Sequence, residues 1–568
     1  MKTGEAGARL LKGAFILSAA AIGSKLIGTL QKIPLQNIGG DAVFGIYNTV
    51  NPLYTMMITL AAAGFPLALS KFVAEAEAAG RPQDSRRLLR ISSLFLISLG
   101  LVLGLLLYTT APLLGSWIGS EQVVPALQAS ALALLFVPWM ALLRGYFQGL
   151  HNVVPTAVSQ IAEQSIRVIV MITLLLYMLQ QGASAPQITA GAMLGSAAGG
   201  VAGLLVMLLY WRKSRGKKRA AAKDSGTPGF TEPAWSRQAG FQQSQRSTGE
   251  VHLGETSALR ILKVLAAYAL PVCLSALAIP LIGLVDSFTV PRSLLSSGLS
   301  EDGMLARFGI YNRGLPLVQL VTMLAASLSV LFIPALAEAR YRGQHELAAR
   351  QSELALRWFW LLGLAASAGL AVLAEPVNVM LYEDAEGSDV LRWVALTAVF
   401  GTVSIITAAL LQGAGLVRAP ALHLLAAALL KLGLNLALVP QLGITGAAIA
   451  GVAAHGTAAA LNTALLVRHA GVRLSAAHLL LRPALVTAGL VLAAWAASTA
   501  AGGLAAAAGL GTGRMSAAAA SLAGVAAGAG AFVAGAVWTK LLSEEELHLL
   551  PKIGRPLAAL LTRLRLLR

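Results

Sequence analysis

Residues 88–112 read LLRISSLFLISLGLVLGLLLYTTAP, and Arg90 is the only charged side chain in this stretch. A helix of about twenty apolar residues spans the hydrocarbon core of a bilayer, and comparable runs recur along the 568-residue chain. The runs are continuous and rich in Leu, Ala and Gly, whereas the strands of a membrane β-barrel alternate apolar and polar residues. The sequence therefore predicts an all-α integral membrane protein.

The composition supports this fold class and excludes several functions. Hydrophobic residues make up 57% of the chain and charged residues only 12%, whereas soluble proteins carry about 25% charged residues. The net charge of +18 would suit a nucleic-acid partner, but the basic residues lie in alternate loops, so no nucleic acid is expected. Cys273 is the only cysteine, which excludes an internal disulfide and a Cys-rich metal site. Because no nucleotide-binding or metal motif is found, we expect no enzymatic activity, cofactor or metal.

The apolar runs predict about fourteen transmembrane helices. Their expected positions are Leu10–Ile33, Val43–Phe65, Leu88–Pro112, Val123–Leu143, Val154–Leu179, Pro186–Trp211, Leu259–Val285, Phe308–Pro334, Leu354–Leu373, Leu391–Leu411, Pro420–Val439, Ile444–Val467, Leu479–Ala500 and Ala517–Trp538.

The distribution of Lys and Arg predicts the orientation of these helices. The segment between the second and third spans carries Lys71, Arg81 and further arginines, the next loop (113–122) carries none, and the loop 375–389 is acidic. Cytoplasmic loops of membrane proteins are enriched in Lys and Arg. We therefore expect a multi-pass protein of the cytoplasmic membrane with both termini in the cytoplasm.

The chain contains an internal repeat. The string GIYN occurs at residues 45–48 and again at 309–312, an offset of 264, and Arg167 falls opposite Lys431 at the same offset. Six predicted spans precede a long basic loop and six follow it, so the two halves enter the membrane in the same orientation. The predicted domains are a first lobe (1–211), a basic linker (212–256), a second lobe (257–468), two extra helices (469–541) and an amphipathic basic tail (542–568).

Polar residues inside predicted spans are candidate functional residues, because a charge at mid-membrane costs about 2.5–3.5 kcal/mol on insertion scales. The candidates for substrate binding are Lys25, Lys32, Asn48, Asn51, Asp286 and Arg313, and the secondary polar positions are Glu163, Arg167 and Lys431.

Each candidate also has a structural interpretation. Glu163 and Arg167 are spaced i, i+4 and predict an ion pair within one helix. Lys32 lies near a span end, where a lysine reaches the headgroups, and asparagines often join helix to helix by hydrogen bonds. Lys25 and Arg313 have no acid on their own helix face, and we expect Asp286 to pair with one of them.

Several motifs resemble a known family. The stretches SKLIG (24–28), GIYN (45–48), GFP (64–66), LRGYFQG (143–149) and VPTA (154–157) are similar to the stage V sporulation protein B branch of polysaccharide exporters. This resemblance covers nearly the whole chain and extends to the lipid II flippase group of the multidrug/oligosaccharidyl-lipid/polysaccharide exporter superfamily. Lys25 stands where that group has a cavity arginine, and Arg313 approximates its eighth-helix arginine. Gln31 and Lys32 replace an Arg-Asp pair of the group.

The resemblance implies a V-shaped fold of two lobes, alternating access and a lipid diphosphate-linked oligosaccharide as substrate. Membrane lipids and cell-wall synthesis proteins are the other candidate partners, and the role is expected in peptidoglycan, polysaccharide or spore-wall assembly. The alternative is an antiporter of the multidrug and toxin extrusion type. Such antiporters of cationic drugs need acids in the cavity, and here the candidate cations outnumber the candidate acids.

Overall fold

The structure is a computed structural model that describes residues 17, 19–62, 64–224, 257–329, 332–472, 480–510, 513–539 and 541. Within these ranges every regular element is a helix and no strand occurs. The predicted all-α fold class is therefore confirmed. Most of the predicted linker and the whole amphipathic tail lie outside the described residues.

The first half of the chain contains α1 (19–30), α2 (Lys32–Ala62), α3 (Phe65–Ala78), α4 (Pro82–Ile118), α5 (Val124–Ala131), α6 (Val137–Gly149), α7 (Val154–Gln180) and α8 (Ala185–Asp224). The second half contains α9 (Ala258–Ser296), α10 (Glu301–Asn312), α11 (Leu315–Ser329), α12 (Phe332–Tyr341), α13 (His345–Val372), α14 (Ala374–Tyr382), α15 (Ser388–Gly413), α16 (Ala419–Leu442), α17 (Ile444–Ala470), α18 (Arg482–Ala505) and α19 (Arg514–Trp538).

Eleven helical stretches in the described ranges are long and apolar enough to cross a membrane. One of them, Ala19–Ala78, has 60 residues and contains the later part of the first predicted span and the whole of the second. The chain bends inside this stretch at Gly40, whose φ is 79°, a value that residues with a Cβ rarely adopt. The protein is therefore a multi-pass membrane protein, and the count of fourteen spans stays a prediction.

The chain folds into two compact units, and each unit is built from three separate segments of the sequence. Unit 1 comprises Met1–Gly28, Val50–Gly115 and Glu121–Pro280, and unit 2 comprises Thr29–Thr49, Ser116–Ser120 and Leu281–Arg568. The first part of α2 thus belongs to the same unit as the second half of the sequence. The domain boundaries predicted from the sequence remain predictions.

Unit 1 is held together by close helix packing between α3 and α6. A Cβ added to Gly145 would lie 2.3 Å from the carbonyl oxygen of Pro66, and one added to Gly149 would lie 2.6 Å from that of Ser70. Glycines four residues apart allow two membrane helices to approach to backbone contact. Buried side chains such as Leu69 surround this contact and form the core of the unit.

Unit 2 contains a reciprocal contact between the two copies of the repeat. A Cβ on Gly45 would lie 1.9 Å from the carbonyl oxygen of Leu305, and a Cβ on Gly309 would lie 2.1 Å from that of Asp41. Each glycine therefore packs on the residue four positions before its counterpart. Asn48 and its counterpart Asn312 each donate to the carbonyl one turn before, at 2.8 and 2.7 Å. We call this contact the repeat crossing.

Candidate functional site

Three clusters of charged side chains stand out in the described residues, two in unit 2 and one in unit 1. The first is centred on Arg313, which follows α10 directly and is only 2% exposed. Its Nε donates to Asp41 Oδ1 at 2.9 Å, and its Nη1 donates to Asp384 Oδ1 at 2.6 Å. A guanidinium presents its N–H groups as a fork that matches carboxylates, and here one guanidinium serves two of them.

Neighbouring groups fix this arginine cluster in place. Tyr382 donates its hydroxyl to the carbonyl oxygen of Arg313 at 2.7 Å, and its ring lies 5.3 Å from the guanidinium carbon. Gln36 donates to Asp41 Oδ1 at 3.1 Å. Burial opposes ionisation of Asp384, but the hydrogen bond from Arg313, the backbone N–H of Glu386 and the charge of Arg313 together outweigh it and lower the pKa of that carboxyl. The cluster carries two negative charges and one positive charge.

The second cluster is a buried ion pair between Asp286 of α9 and Lys431 of α16. Lys431 Nζ lies 2.5 Å from Asp286 Oδ2. Asn435 donates to Asp286 Oδ1 at 2.9 Å and the Tyr311 hydroxyl donates to Oδ2 at 3.0 Å. The expectation that Asp286 pairs with Lys25 or Arg313 is wrong, because Lys431 projects from the facing helix and neutralises it. This cluster has no net charge.

The third cluster lies in unit 1, where one carboxylate is shared by two arginines. Arg167 donates to Glu163 Oε1 at 2.8 Å, which is the i, i+4 pair predicted from the sequence, and Arg144 donates to Glu163 Oε2 at 3.0 Å. Arg144 also donates to Ser159 at 2.8 Å. The three charged side chains are only 10–17% exposed. The cluster therefore holds one positive charge in excess.

The remaining candidates are placed separately. Lys25 is exposed in unit 1 and Lys32 is half-buried in unit 2, and neither forms an ion pair with another described residue. Asn51 is half-buried in unit 1 and forms no side-chain hydrogen bond within the described ranges. Asn48 is buried at the repeat crossing and bonds to its own helix, so in this structure its amide serves helix packing.

Sequence reasoning missed Asp41 as a partner of Arg313 and did not connect Arg144 with Glu163. The acid and the arginine of the first cluster are 272 residues apart. One signal was present in the sequence: Asp41 precedes the first repeated glycine by four residues, and Arg313 follows the second copy directly.

Comparison with solved structures identifies the class of fold. The lipid II flippase MurJ in an inward closed conformation matches with a TM-score of 0.59 at 12% identity, over 85% of this chain and 92% of that one. An inward-facing transporter of the multidrug resistance MATE family matches with a TM-score of 0.58 at 16% identity, over 79% of this chain and 94% of that one. The fold is that of the multidrug/oligosaccharidyl-lipid/polysaccharide exporters.

Sequence relatives narrow this class. Residues 10–234 match the family of polysaccharide biosynthesis proteins. The membrane protein YabM of Bacillus subtilis (strain 168) is 32% identical over 79% of both chains. From the same organism, the lipid II flippase MurJ is 26% identical over 82% of this chain and 83% of the relative, and stage V sporulation protein B is 26% identical over 78% and 80%. The chain therefore belongs to the same family as YabM, and the match of residues 10–234 describes it as a family of polysaccharide biosynthesis proteins.

Proposed function

We propose that this protein is a flippase that moves an undecaprenyl-diphosphate-linked cell-wall or polysaccharide precursor across the cytoplasmic membrane by alternating access. The observation that carries this proposal is the excess positive charge in unit 1, which comes from the Arg144–Glu163–Arg167 cluster and from Lys25. Glu163 is shared by two arginines, and Lys25 has no acidic partner among the described residues. A diphosphate loses the solvation of its charge when it leaves the headgroup region, and fixed cations offset part of that cost.

An apolar cavity in unit 2 also supports a lipid-linked substrate. The cavity has a volume of about 710 Å³ and lies between α13, α15 and α17. Its walls include Trp360, Phe400 and Val467, and Arg468 also lines it. A long isoprenoid chain needs an apolar surface of this kind. The positive charge of Arg468 would attract the diphosphate that is attached to that chain.

The structure gives less support to the alternative, an antiporter of cationic drugs. The fold of this protein is similar to that of the MATE transporter. A cationic substrate, however, needs an accessible carboxylate in the membrane. Asp41, Glu163 and Asp286 each contact a basic side chain. Each of these acids therefore already has a cationic partner within the protein.

Substitution of the two lysines tests the proposed function without leaving a buried acid unpaired. We expect Lys25→Gln combined with Lys32→Gln to lower transport of a fluorescent undecaprenyl-diphosphate oligosaccharide in proteoliposomes by about tenfold or more, because each lost charge weakens phosphate binding. The arginine variants at both positions should retain transport, since they keep the charge. Lys263→Gln removes an exposed lysine that forms no ion pair with a described residue and serves as the control.

A second variant tests the apolar cavity in the same assay. Ala464→Trp fills the cavity from α17 and should lower transport, whereas Leu461→Trp places the same ring on the same helix at a position that does not line the cavity. Equal transport by both variants would remove the cavity from the proposal. Full transport by the double glutamine variant would remove the two lysines from the proposed mechanism. Absence of transport by the wild type, together with export of an organic cation, would favour the antiporter.

The orientation is tested by labelling single cysteines in a Cys273→Ala background. Ala385 lies in the acidic loop and Gln344 between α12 and α13, and both are exposed. We propose that both termini are cytoplasmic, so an impermeant thiol reagent added to intact cells should label Ala385→Cys and not Gln344→Cys. The reverse pattern would invert the proposed topology.

A further inference from the structure

Unit 1 contains a small pocket that the proposed function does not use. It has a volume of about 270 Å³ and lies between α4, α6 and α8. Arg86, Arg90 and Ser93 line it from α4, Trp139 from α6, and Trp211 and Ser214 from α8. The pocket thus combines two cations, the hydroxyl groups of two serines and of Tyr146, and two indole rings, together with leucine side chains.

The two arginines indicate an anionic ligand. Arg86 and Arg90 are one helical turn apart and therefore face the same side of α4, where like charges repel. Neither forms an ion pair with another residue in the described part of the chain. An anion between the two guanidinium groups would replace this repulsion by charge-assisted hydrogen bonds, and Ser93 and Ser214 offer further donors.

The surface of α4 beside the pocket indicates that the anion belongs to a lipid. Continuing from Arg86 and Arg90 in steps of three or four residues, the same stripe of α4 carries the exposed side chains Leu94 (71%), Ile97 (38%), Leu101 (56%) and Leu105 (61%). A single helix face therefore changes from cationic to apolar along its length. This order matches an amphiphile with a charged head and an acyl chain.

The position of the pocket agrees with the level of the headgroups. Its arginines lie at the end of α4 that the charge pattern predicts to be cytoplasmic, and Arg212 and Lys213 are exposed on α8 beside it. Tryptophan is enriched at membrane–water interfaces, where its ring meets acyl chains and its N–H meets the headgroups. Trp139 and Trp211 are both half-buried in the wall of the pocket.

We propose that this pocket binds the phosphate of an acidic phospholipid from the cytoplasmic leaflet, with one acyl chain lying along the exposed stripe of α4. Arg86 and Arg90 hold the phosphate, and the indole rings border the glycerol region. The site belongs to unit 1 alone and is separate from the Arg144–Glu163–Arg167 cluster. It makes the protein a receptor for anionic lipid, in addition to any lipid-linked substrate that it moves.

The test measures lipid binding by native mass spectrometry of the full-length protein in detergent, titrated with phosphatidylglycerol, phosphatidylcholine or inorganic phosphate. We expect phosphatidylglycerol to bind the wild type, and Arg86→Gln with Arg90→Gln to weaken this binding by about tenfold, since both basic contacts are lost. Arg212→Gln with Lys213→Gln removes the same charge from the neighbouring surface and should change binding less than twofold. Arg86→Lys with Arg90→Lys should largely retain it.

A further variant keeps the charges and blocks the space. Ser93→Trp fills the pocket and should abolish tight binding of phosphatidylglycerol while both arginines remain. Wild-type binding by this variant, or equal losses in the two glutamine double variants, would overturn the proposal. Equal binding of phosphatidylcholine, which has the same phosphate but no net charge, would overturn the selection of an acidic phospholipid. Displacement of phosphatidylglycerol by inorganic phosphate would assign the pocket to a free anion.

Discussion

The two copies of the repeat, Phe44–Asn48 and Phe308–Asn312, are packed alike but surrounded by different charges. Their glycines approach each other's helices in the same way, and their asparagines make the same bond. Yet Thr49 follows the first copy and Arg313 follows the second at the equivalent position. The backbone contacts of the two copies are symmetric, whereas the side chains that follow them have different roles. In this repeat, the identical residues serve helix packing and the differing residues carry the charge.

The largest expected effect comes from breaking the symmetric part. Gly45→Ala and Gly309→Ala each place a Cβ within about 2 Å of a backbone oxygen, so we expect each to cost about 3 kcal/mol or more, at the upper end of the range for overpacking. Thermal unfolding of the purified variants in detergent measures this loss. Gly433→Ala in α16 meets no atom within 4 Å and should be neutral. A large loss at only one of the two glycines would contradict the reciprocal crossing.

The next effect concerns the Asp286–Lys431 pair, which contacts the second copy through Tyr311. Lys431→Met leaves the buried Asp286 without its cation and should destabilise the protein by about 3 kcal/mol, the lower end of the range for a broken buried pair, because Asn435 and Tyr311 still donate to the carboxylate. Adding Asp286→Leu removes the uncompensated charge, so the double variant should recover much of that loss in the same unfolding assay. If instead the two single losses add, Lys431 and Asp286 do not act as a pair.

A smaller effect is expected at the two equivalent positions after the repeats. Arg313→Gln removes the cation shared by Asp41 and Asp384 and should cost about 3 kcal/mol or less, because Asp384 is half exposed and screened by water. Thr49→Val removes only a hydroxyl that bonds to the Gly45 carbonyl and should cost about 1 kcal/mol. Similar losses of stability in the two variants would show that the charge at position 313 does not contribute more to the fold than the hydroxyl at position 49.

The smallest effect is the pH dependence of the arginine cluster. The pKa of Asp384 is lowered in the folded protein from 3.8, so the carboxyl stabilises the fold above pH 3.8 and loses this contribution as the pH falls through the lowered value. The difference in unfolding free energy between the wild type and Asp384→Asn should be constant from pH 7 to about pH 5 and shrink below about pH 4. A difference that shrinks between pH 7 and pH 5 would indicate that the pKa is raised.

The sequence predicted the fold class and the local pairs, and it missed the distant ones. Long continuous apolar runs predict that these segments lie in lipid. The i, i+4 spacing places Glu163 beside Arg167 on one helix, whatever the rest of the fold. The contacts of Asp286 with Lys431 and of Arg313 with Asp41 join residues 145 and 272 positions apart. Such contacts depend on which helix faces pack together in the fold. The helical spacing of residues within one stretch of sequence does not show which other helix that stretch will contact.

The membership of Thr29–Thr49 in unit 2 also has a consequence for biosynthesis. Asp41 and Gly45 leave the ribosome before their partners Arg313 and Leu305 exist. With 272 residues between Asp41 and Arg313 and synthesis at about 5–20 residues per second, the delay is roughly 15–55 seconds. Throughout that interval Asp41 has no arginine partner and the face of α2 at Gly45 has not met α10. The second half of the chain therefore completes a structure that the first half began.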